Sequence, residues 1–436
     1  MTRANLIDKL STSLPPPGRR ALAILVQLAE ERRLALYLVG GPVRDLLLGA
    51  PILDLDLAVE GDAPALAREA AAALAIRCLV HPAFLTATLK GDGFGLDLAT
   101  ARSETYDHPG ALPRVHPASV QEDVLRRDFS INALALPLTG PRRGELFDPC
   151  GGRADLEAGL VRVLHERSFV DDATRILRAV RYELRFGFRL EERTLAWLQR
   201  HAGYLETISG ARIRQEFSRI FEEQQPERAL LRLHELGALS QVHPSLSFDA
   251  PRARAFDSLR RLAPDAALAG YWPLLAWRLD DGEATALAGR LALTKPQSLA
   301  VCAMPRLRAL EKPLSEPGLQ PSAVAGMLSP YPPAAVWALA AATDGETVRE
   351  RCLSYLRRWR YVKTSLNGTA LLNLGVPAGP RVGEVLRRLK VAKLDGEVKS
   401  RRDEQRLVRS LLASPSRKVR LQPDSQPDVE GGGQPR

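Results

Sequence analysis

The chain of 436 residues is 45% hydrophobic and 26% charged, ordinary for globular protein and long enough for about three domains, or one domain with helical extensions. It has no run of about 18 apolar residues, which excludes a membrane span, and its four cysteines (Cys78, Cys150, Cys302, Cys352) form no CxxC pair, which argues against a zinc ribbon or disulfide scaffold and fits a reducing, cytoplasmic setting. The 61 Lys and Arg against 51 Asp and Glu leave a net +10, which suits a polyanionic partner; an Arg-rich gene would give the same surplus, since only 9 of the basic residues are Lys.

Residues 1–13 are mixed polar and lack the charged-then-apolar layout of a signal peptide. Three prolines at 15–17 precede an amphipathic helix over 18–33, and the apolar run 34–39 ending at Gly40-Gly41 reads as a buried strand. Residues 43–48 make one or two helical turns stopped by Gly49 and Pro51. Alternation in DLDLAV predicts a half-buried strand over 54–59, followed by an Ala-rich helix over 63–76. Runs at 84–89 and 94–99 predict two strands joined by a hairpin turn at 90–93. A short helix over 119–126 and a strand over 131–136 complete a small sheet. After Ser168 the pattern turns helical, first over 168–186, 191–202, 211–223 and 226–236, then in segments broken by Pro and Gly to about residue 412. Residues 415–436 carry the composition of a disordered tail. The expected fold is α+β: a small mixed-sheet head on an all-α remainder.

The strongest chemical signal is Gly40-Gly41-Pro42-Val43-Arg44-Asp45 followed by Asp54-Leu55-Asp56. On a strand, residues i and i+2 share a face, so Asp54 and Asp56 place two carboxylates side by side. Their repulsion is costly unless a cation lies between them, and hard oxygen ligands at this spacing suit Mg²⁺. Asp97, in GFGLDLAT, would add a third carboxylate if its strand lies beside the first; three such groups could serve two metals in a phosphoryl displacement. A lone DxD is also what a solvated strand face looks like. The double glycine would let backbone N–H groups meet an anion at a helix N-terminus, though many strand-helix turns contain two glycines. Arg44 could meet a triphosphate, or simply pair with Asp45. There is no GxxxxGK[ST] and no GxGxxG after a strand, so neither a Walker site nor a dinucleotide site is expected.

These pieces resemble the class II nucleotidyltransferases, the bacterial CCA-adding enzymes and poly(A) polymerases. GGPVRDLLLG with DLDLAVEG is similar to that family's first motif, LDLATARSETYDHPGALPRV to its third-carboxylate strand and loop, and RRDFSINA (126–133) to its RRDFTINA. LFDPCGGRADLEAGLVRVL, SFVDDATRILRAVRYELRFGF and NGTALLNLGVPAGPRVGEVL follow in the family's order. The resemblance implies a catalytic head over 1–165, a neck over 166–240 that reads the nucleotide base, a helical body over 241–360, a tRNA-binding tail over 361–412, and a loose basic, Pro- and Gly-containing end over 413–436. It implies catalysis by Asp54, Asp56 and Asp97, with Mg²⁺ on Asp54 and Asp56. It implies nucleotide binding by Gly40, Gly41, Arg44, Arg127, Asp128, Asn132, Asp172, Arg175 and Arg178. Arg126 and Arg127 would meet phosphates, or form a salt-bridge cluster at a helix end. Asp172 and Arg175, at i and i+3, would share one helix face and present acceptors and donors to CTP or ATP, so that protein stands in for a template; the same spacing suits a plain ion pair. The chain departs from the pattern at Asp171 (often Glu), Ala173 (commonly Pro), Ala211 (usually the Glu of ERI) and Ala370 (usually the Asp of GxDL).

The implied activity is transfer of CMP, AMP or both from CTP and ATP to a tRNA 3′ end. Poly(A) polymerase is the alternative, but the basic pair its sequences tend to carry near residue 80 is replaced here by Leu79-Val80-His81-Pro82-Ala83-Phe84. Enzymes that add only CC or only A are further alternatives, as is a non-catalytic RNA-binding module, which would tolerate loss of the three carboxylates. An HD-type phosphohydrolase domain is not expected, since the chain has no His-Asp dipeptide. Between residues 381 and 420 there are 13 basic and 5 acidic residues, a composition suited to duplex RNA but also to a solvated helix face. The sequence sets no oligomeric state.

Overall fold

The computed structural model describes residues 3–52, 54–91 and 94–413. The tail expected beyond residue 413 and the tip of the hairpin at 92–93 lie outside them. The chain forms two compact units, one of residues up to 309 with 331–344, the other of 310–330 with those from 345 onward.

The first unit opens with α1 (Arg3–Ser13) and α2 (Pro16–Glu31), whose early prolines sit in a first turn that needs no N–H partner. There follow β1 (Ala35–Val39), α3 (Gly41–Leu48), β2 (Asp54–Glu60), α4 (Ala63–Leu74), β3 (Arg77–His81), β4 (Thr86–Gly91) and β5 (Phe94–Thr100). A small ribbon, β6 (Arg102–Thr105) and β7 (Arg114–Pro117), leads to α5 (Val120–Leu125) and β8 (Ala135–Pro137). The main sheet runs β3-β4-β5-β2-β1-β8 and is antiparallel throughout except for the parallel pair β2 and β5. Leu55, Leu57, Ala87, Leu89, Leu96 and Leu98 are buried, and α4 packs against β2 to β5 over them. The alternate positions carry Asp54, Asp56, Thr88 and Asp97.

Three expectations need correction. The strand placed at 131–136 is a tight turn at Ser130–Asn132 with a strand only from Ala135. Asp128 accepts hydrogen bonds from Asn132 Nδ2 (3.0 Å) and Phe129 N (2.9 Å), and this side-chain competition pulls the backbone off the ladder. The helix placed at 168–186 is broken at Asp172, whose backbone is extended (φ −144°, ψ 97°). The strand β3 was not expected, and the run beginning at Phe84 enters its strand only at Thr86, after a turn at Pro82–Phe84.

The helical part of this unit starts with α6 (Gly152–Ala158), the short parallel pair β9 (Leu160–Val161) and β10 (Arg189–Leu190), α7 (Ser168–Asp171) and α8 (Thr174–Phe186). It continues through α9 (Glu192–His201), α10 (Gly210–Phe221), α11 (Pro226–Glu235), α12 (Ala238–Val242), α13 (Ala250–Leu262), α14 (Ala267–Leu275), α15 (Asp281–Arg290) and α16 (Lys295–Arg308). Its core is aromatic: Phe256 stacks on Tyr271 at 4.6 Å, and Phe221 meets Trp272 edge-on at 4.9 Å. Such rings bury about 150–250 Å² each, so this cluster dominates the packing there.

The second unit contains α17 (Glu311–Ser315) and α18 (Pro321–Leu328); α19 (Pro333–Ala342) returns to the first unit. The second unit resumes with α20 (Glu346–Arg357), α21 (Gly368–Asn373), α22 (Pro380–Leu394) and α23 (Arg401–Ala413). Leu366, Leu371, Val385, Leu389 and Val408 form its core. Fully buried Glu404 accepts from the N–H groups of Ser365 and Leu366 (both 2.8 Å) and from Lys393 Nζ (3.1 Å). Among the described residues no helix is long and apolar enough to cross a membrane.

Candidate active site

The turn after β1 is set by Gly40, at φ +72° and ψ −128°, a conformation that only glycine adopts without strain. A Cβ there would lie 2.4 Å from Arg127 Nη1, so the glycine also makes room for that guanidinium. Gly41 then opens α3, which places Arg44 one turn in.

Arg44 is only 6% exposed. Its Nε donates to Asp45 Oδ1 (2.9 Å), its Nη1 to Asn132 Oδ1 (2.6 Å), and its guanidinium lies 4.7 Å from the Phe186 ring centre. Asn132 passes the chain on to Asp128, which in turn accepts from Arg178 Nε (2.9 Å) on α8. Burial opposes ionisation of Asp128, but Arg178 and Asn132 override it and hold the carboxyl down at about 2. The same partner raises Arg178 against its own burial. Asp45, Arg44, Asn132, Asp128 and Arg178 thus form one fixed relay from α3 to α8.

Asp54 and Asp56 project from one face of β2, and the parallel register places Asp97 of β5 opposite Asp56. Thr88 Oγ1 donates to Asp97 Oδ1 at 2.6 Å. The Asp56 carboxyl is pushed up to about 6, first by burial and then by the charges of Asp97 and Asp54, against the pull of Arg127 and Arg44. A cavity of about 760 Å³ opens over this pair, lined by Gly41, Arg44, Asp54, Asp56, Arg178 and Arg181 among others.

A second cavity of about 390 Å³ is lined by Arg127, Asp128, Asp172, Arg175, Arg178 and Arg212, with Tyr106 on its wall. Here Asp172 does not share a helix face with Arg175, as the spacing suggested. It sits in the break between α7 and α8, where its Oδ1 accepts from Thr174 N (3.0 Å) and Oγ1 (2.7 Å) and its Oδ2 pairs with Arg212 (2.8 Å). A short carboxylate that bonds the backbone two residues on ends one helix and starts the next. Arg175 is buried and donates to Ser168 Oγ (2.6 Å) and to the Arg126 carbonyl (3.0 Å). Arg126 and Arg127 both pair with Asp123 (2.6 and 2.8 Å), and Arg126 also with Glu104 (2.6 Å).

Arg178 lines both cavities, which therefore adjoin. Gly40, Asn132 and Asp97 line neither, and act on the site through Arg127, Arg44 and Asp56. Sequence reasoning did not single out Arg212, Tyr106, Arg181 or Thr88: Tyr106 and Arg181 lie inside motifs quoted above and Arg212 follows Ala211, but nothing local shows that they reach the site. A larger cavity, about 860 Å³ beside Tyr37, Glu60 and Arg142, holds none of these groups.

Residues 36–162 match the family described as the poly A polymerase head domain, and residues 187–249 match the probable RNA and SrmB-binding site of polymerase A. The CC-adding tRNA nucleotidyltransferase of Deinococcus radiodurans is 32% identical over 381 residues, covering 87% of this chain and 90% of that one. The chain belongs to the tRNA nucleotidyltransferase family. The A-adding tRNA nucleotidyltransferase of Geobacter sulfurreducens is 33% identical over 431 residues, 94% of this chain; the chain spans about half of that relative, 49%. The Thermotoga maritima CCA-adding enzyme, solved with tRNA, superposes with a TM-score of 0.75 at 31% identity, covering 93% of this chain and 98% of that one. These relatives do not favour the poly(A) alternative.

Nucleotidyltransferases of this kind use divalent metal ions. Among the described residues no three His, Cys, Asp or Glu side chains gather tightly enough to hold an ion. The Asp54 and Asp56 pair nevertheless fits one: two hard oxygen donors share one strand face, and the carboxylates of Asp54 and Asp97 both add to the burial that raises the proton affinity of Asp56. A cation held by one or two carboxylates and otherwise by phosphate oxygens and water needs no more from the protein.

Proposed function

We propose that the protein transfers CMP, AMP or both from CTP and ATP to the 3′ end of tRNA, in the cytoplasm, without a nucleic-acid template. The observation that carries this reading is the adjacency of the carboxylate face to an Asp and Arg pocket, with Arg178 lining both. The triphosphate lies over Asp54 and Asp56, its terminal phosphates toward the N–H groups of the Gly40-Gly41 turn, Arg44 and Arg127. Mg²⁺ carried between Asp54, Asp56 and the triphosphate would neutralise charge and make the RNA hydroxyl more acidic. Asp97 faces that hydroxyl and helps accept its proton.

The base enters the second cavity. Asp172 accepts from the exocyclic amine of cytosine or adenine, and Arg175, which keeps its bonds to Ser168 and the Arg126 carbonyl, offers a remaining N–H to the neighbouring ring nitrogen. Uracil and guanine present a carbonyl oxygen where the amine should be, and the Asp172 carboxylate repels it. Arg212 holds that carboxylate in place. The basic residues of 361–412, in the proposed tail, bind the tRNA duplex through its phosphates and shape.

The test offers tRNAs ending before CCA, after C and after CC, each with CTP, ATP or both. Stepwise growth by C, C and A is expected of the complete activity, and growth only to CC, or only by A, of a partial one. Long A tails, or no growth of any tRNA, would contradict the reading.

A further inference from the structure

The active face of the sheet carries more than its carboxylates. Across β3, β4, β5 and β2 the register sets Leu79 opposite Thr88, Thr88 opposite Asp97, and Asp97 opposite Asp56. Two residues further along, Arg77 lies opposite Lys90, Lys90 opposite Gly95, and Gly95 opposite Asp54. Residues paired in this way project from the same face, so each row runs from a carboxylate out to the β3 edge.

This outer part of the face is open. Leu79 is 59% exposed, Phe84 in the following turn is 43% exposed, and Arg77 and Lys90 are exposed without an ion pair among the described residues. Unpaired cations beside exposed apolar side chains on a strand face are complementary to single-stranded nucleic acid, whose phosphates take the cations and whose bases take the apolar groups.

The chemistry sets the direction of approach. The RNA 3′ oxygen bonds to the α-phosphorus as the α–β bridging oxygen leaves with pyrophosphate, and the two oxygens lie roughly in line. On the reading given above, the leaving end lies toward Gly41 and Arg44, which follow β1 and line the cavity over Asp54 and Asp56. The hydroxyl must therefore arrive from the other side, over Asp97 and β5.

We infer that the last nucleotides of the RNA 3′ strand cross the open face of β5, β4 and β3, with Lys90 and Arg77 on phosphates and Leu79 and Phe84 against bases. The inference rests on the polymerising role given above for Asp54, Asp56 and Asp97.

The test uses the full chain as R77E/K90E, as R77Q/K90Q and as L79A. Binding of tRNA ending before CCA is measured by anisotropy at several salt concentrations, and extension yields KM for RNA and for CTP. For R77E/K90E the account expects RNA binding to weaken about tenfold and the log–log salt slope to shrink by about 1.4, the value for two single-strand phosphate contacts. The CTP KM, and kcat at saturating RNA, should stay within about twofold, as loss of uniform binding requires. R77Q/K90Q should shift in the same direction by less, and L79A should raise the RNA KM with the salt slope unchanged. Unchanged RNA affinity and salt slope in R77E/K90E would overturn the inference. So would an equal loss of CTP and RNA affinity, which would mark a damaged head. If the wild-type chain binds tRNA without extending it, the polymerising reading fails, while the binding measurements still decide whether RNA uses this face.

Discussion

Asp56 lies partly buried beside Asp54 and Asp97, and its proton affinity is raised first by that burial and then by the two neighbouring carboxylates. Binding a divalent ion there must displace a proton below pH about 6. Mg²⁺ affinity, measured by calorimetry, should therefore be level above that pH and fall by up to about tenfold per unit below it. Asp97→Asn should move the break to lower pH, because it removes one of the two charges that raise Asp56; an affinity that ignores pH between about 5 and 7 would contradict this origin of the shift. Asp128 works in the opposite sense. Its carboxyl is held near 2 against a usual 3.8, so its contribution to stability is complete above the usual value and lost as pH falls toward 2. Asp128→Asn leaves half-buried Arg178 to its longer pairing with Glu216 (3.8 Å) and should cost about 1–3 kcal/mol in urea unfolding, since a charged hydrogen bond is lost in a partly desolvated site. A change below 0.5 kcal/mol, the usual scatter of surface substitutions at about ±0.5, would mean that the relay is not structural.

Much of the site was legible at the level of elements, and what was hidden has physical causes. The alternation in DLDLAV puts Asp54 and Asp56 on one face by the strand period alone, and that is the arrangement found. Asp97 could be placed beside them only conditionally, because strand pairing is a long-range event that local pattern does not encode; the β2 and β5 register supplies it. The break at Asp172 is hidden because the apolar spacing of Phe169, Ile176, Leu177 and Val180 runs through it without interruption, while the break is marked only by the two bonds that Asp172 Oδ1 accepts from Thr174. The paired arginines of RRDFSINA were read both as phosphate donors and as a salt-bridge cluster, and the cluster with Asp123 exists while Arg127 still faces the cavity. At this scale Gly152 provides a test. A Cβ there would stand 2.0 Å from the Ser130 carbonyl oxygen, beneath the turn that presents Asp128 and Asn132. Gly152→Ala should destabilise by about 1–3 kcal/mol through overpacking and raise the nucleotide KM, because the turn must shift. Unchanged melting and KM would show that the segment yields freely.

At the scale of the whole molecule, small ligand and large ligand should separate by charge. The second unit carries runs such as RRLK and RRDEQR on helices whose inner face is built from Leu, Val and fully buried Glu404. Arg387, Arg388, Lys390, Arg401, Arg402 and Arg406 are left exposed, where, on the proposal above, they meet the phosphates of the duplex. Binding of tRNA should therefore weaken steeply with salt, with a log–log slope of about −0.9 per phosphate contacted, while CTP binding changes far less. Equal slopes for the two ligands would contradict a basic RNA-binding surface of that extent. The family matches cover residues 36–162 and 187–249, and the Arg surplus, which alone suits any polyanion, gains a specific meaning only beside them.

The most direct measurement is extension of a tRNA ending before CCA, with CTP and ATP, by the chain carrying both Asp54→Ala and Asp56→Ala. Removing a cation site forfeits several kcal/mol of transition-state stabilisation, so elongation should fall by about a thousandfold or more while tRNA affinity holds. Elongation by the double variant at a rate near that of the unaltered protein would contradict the account.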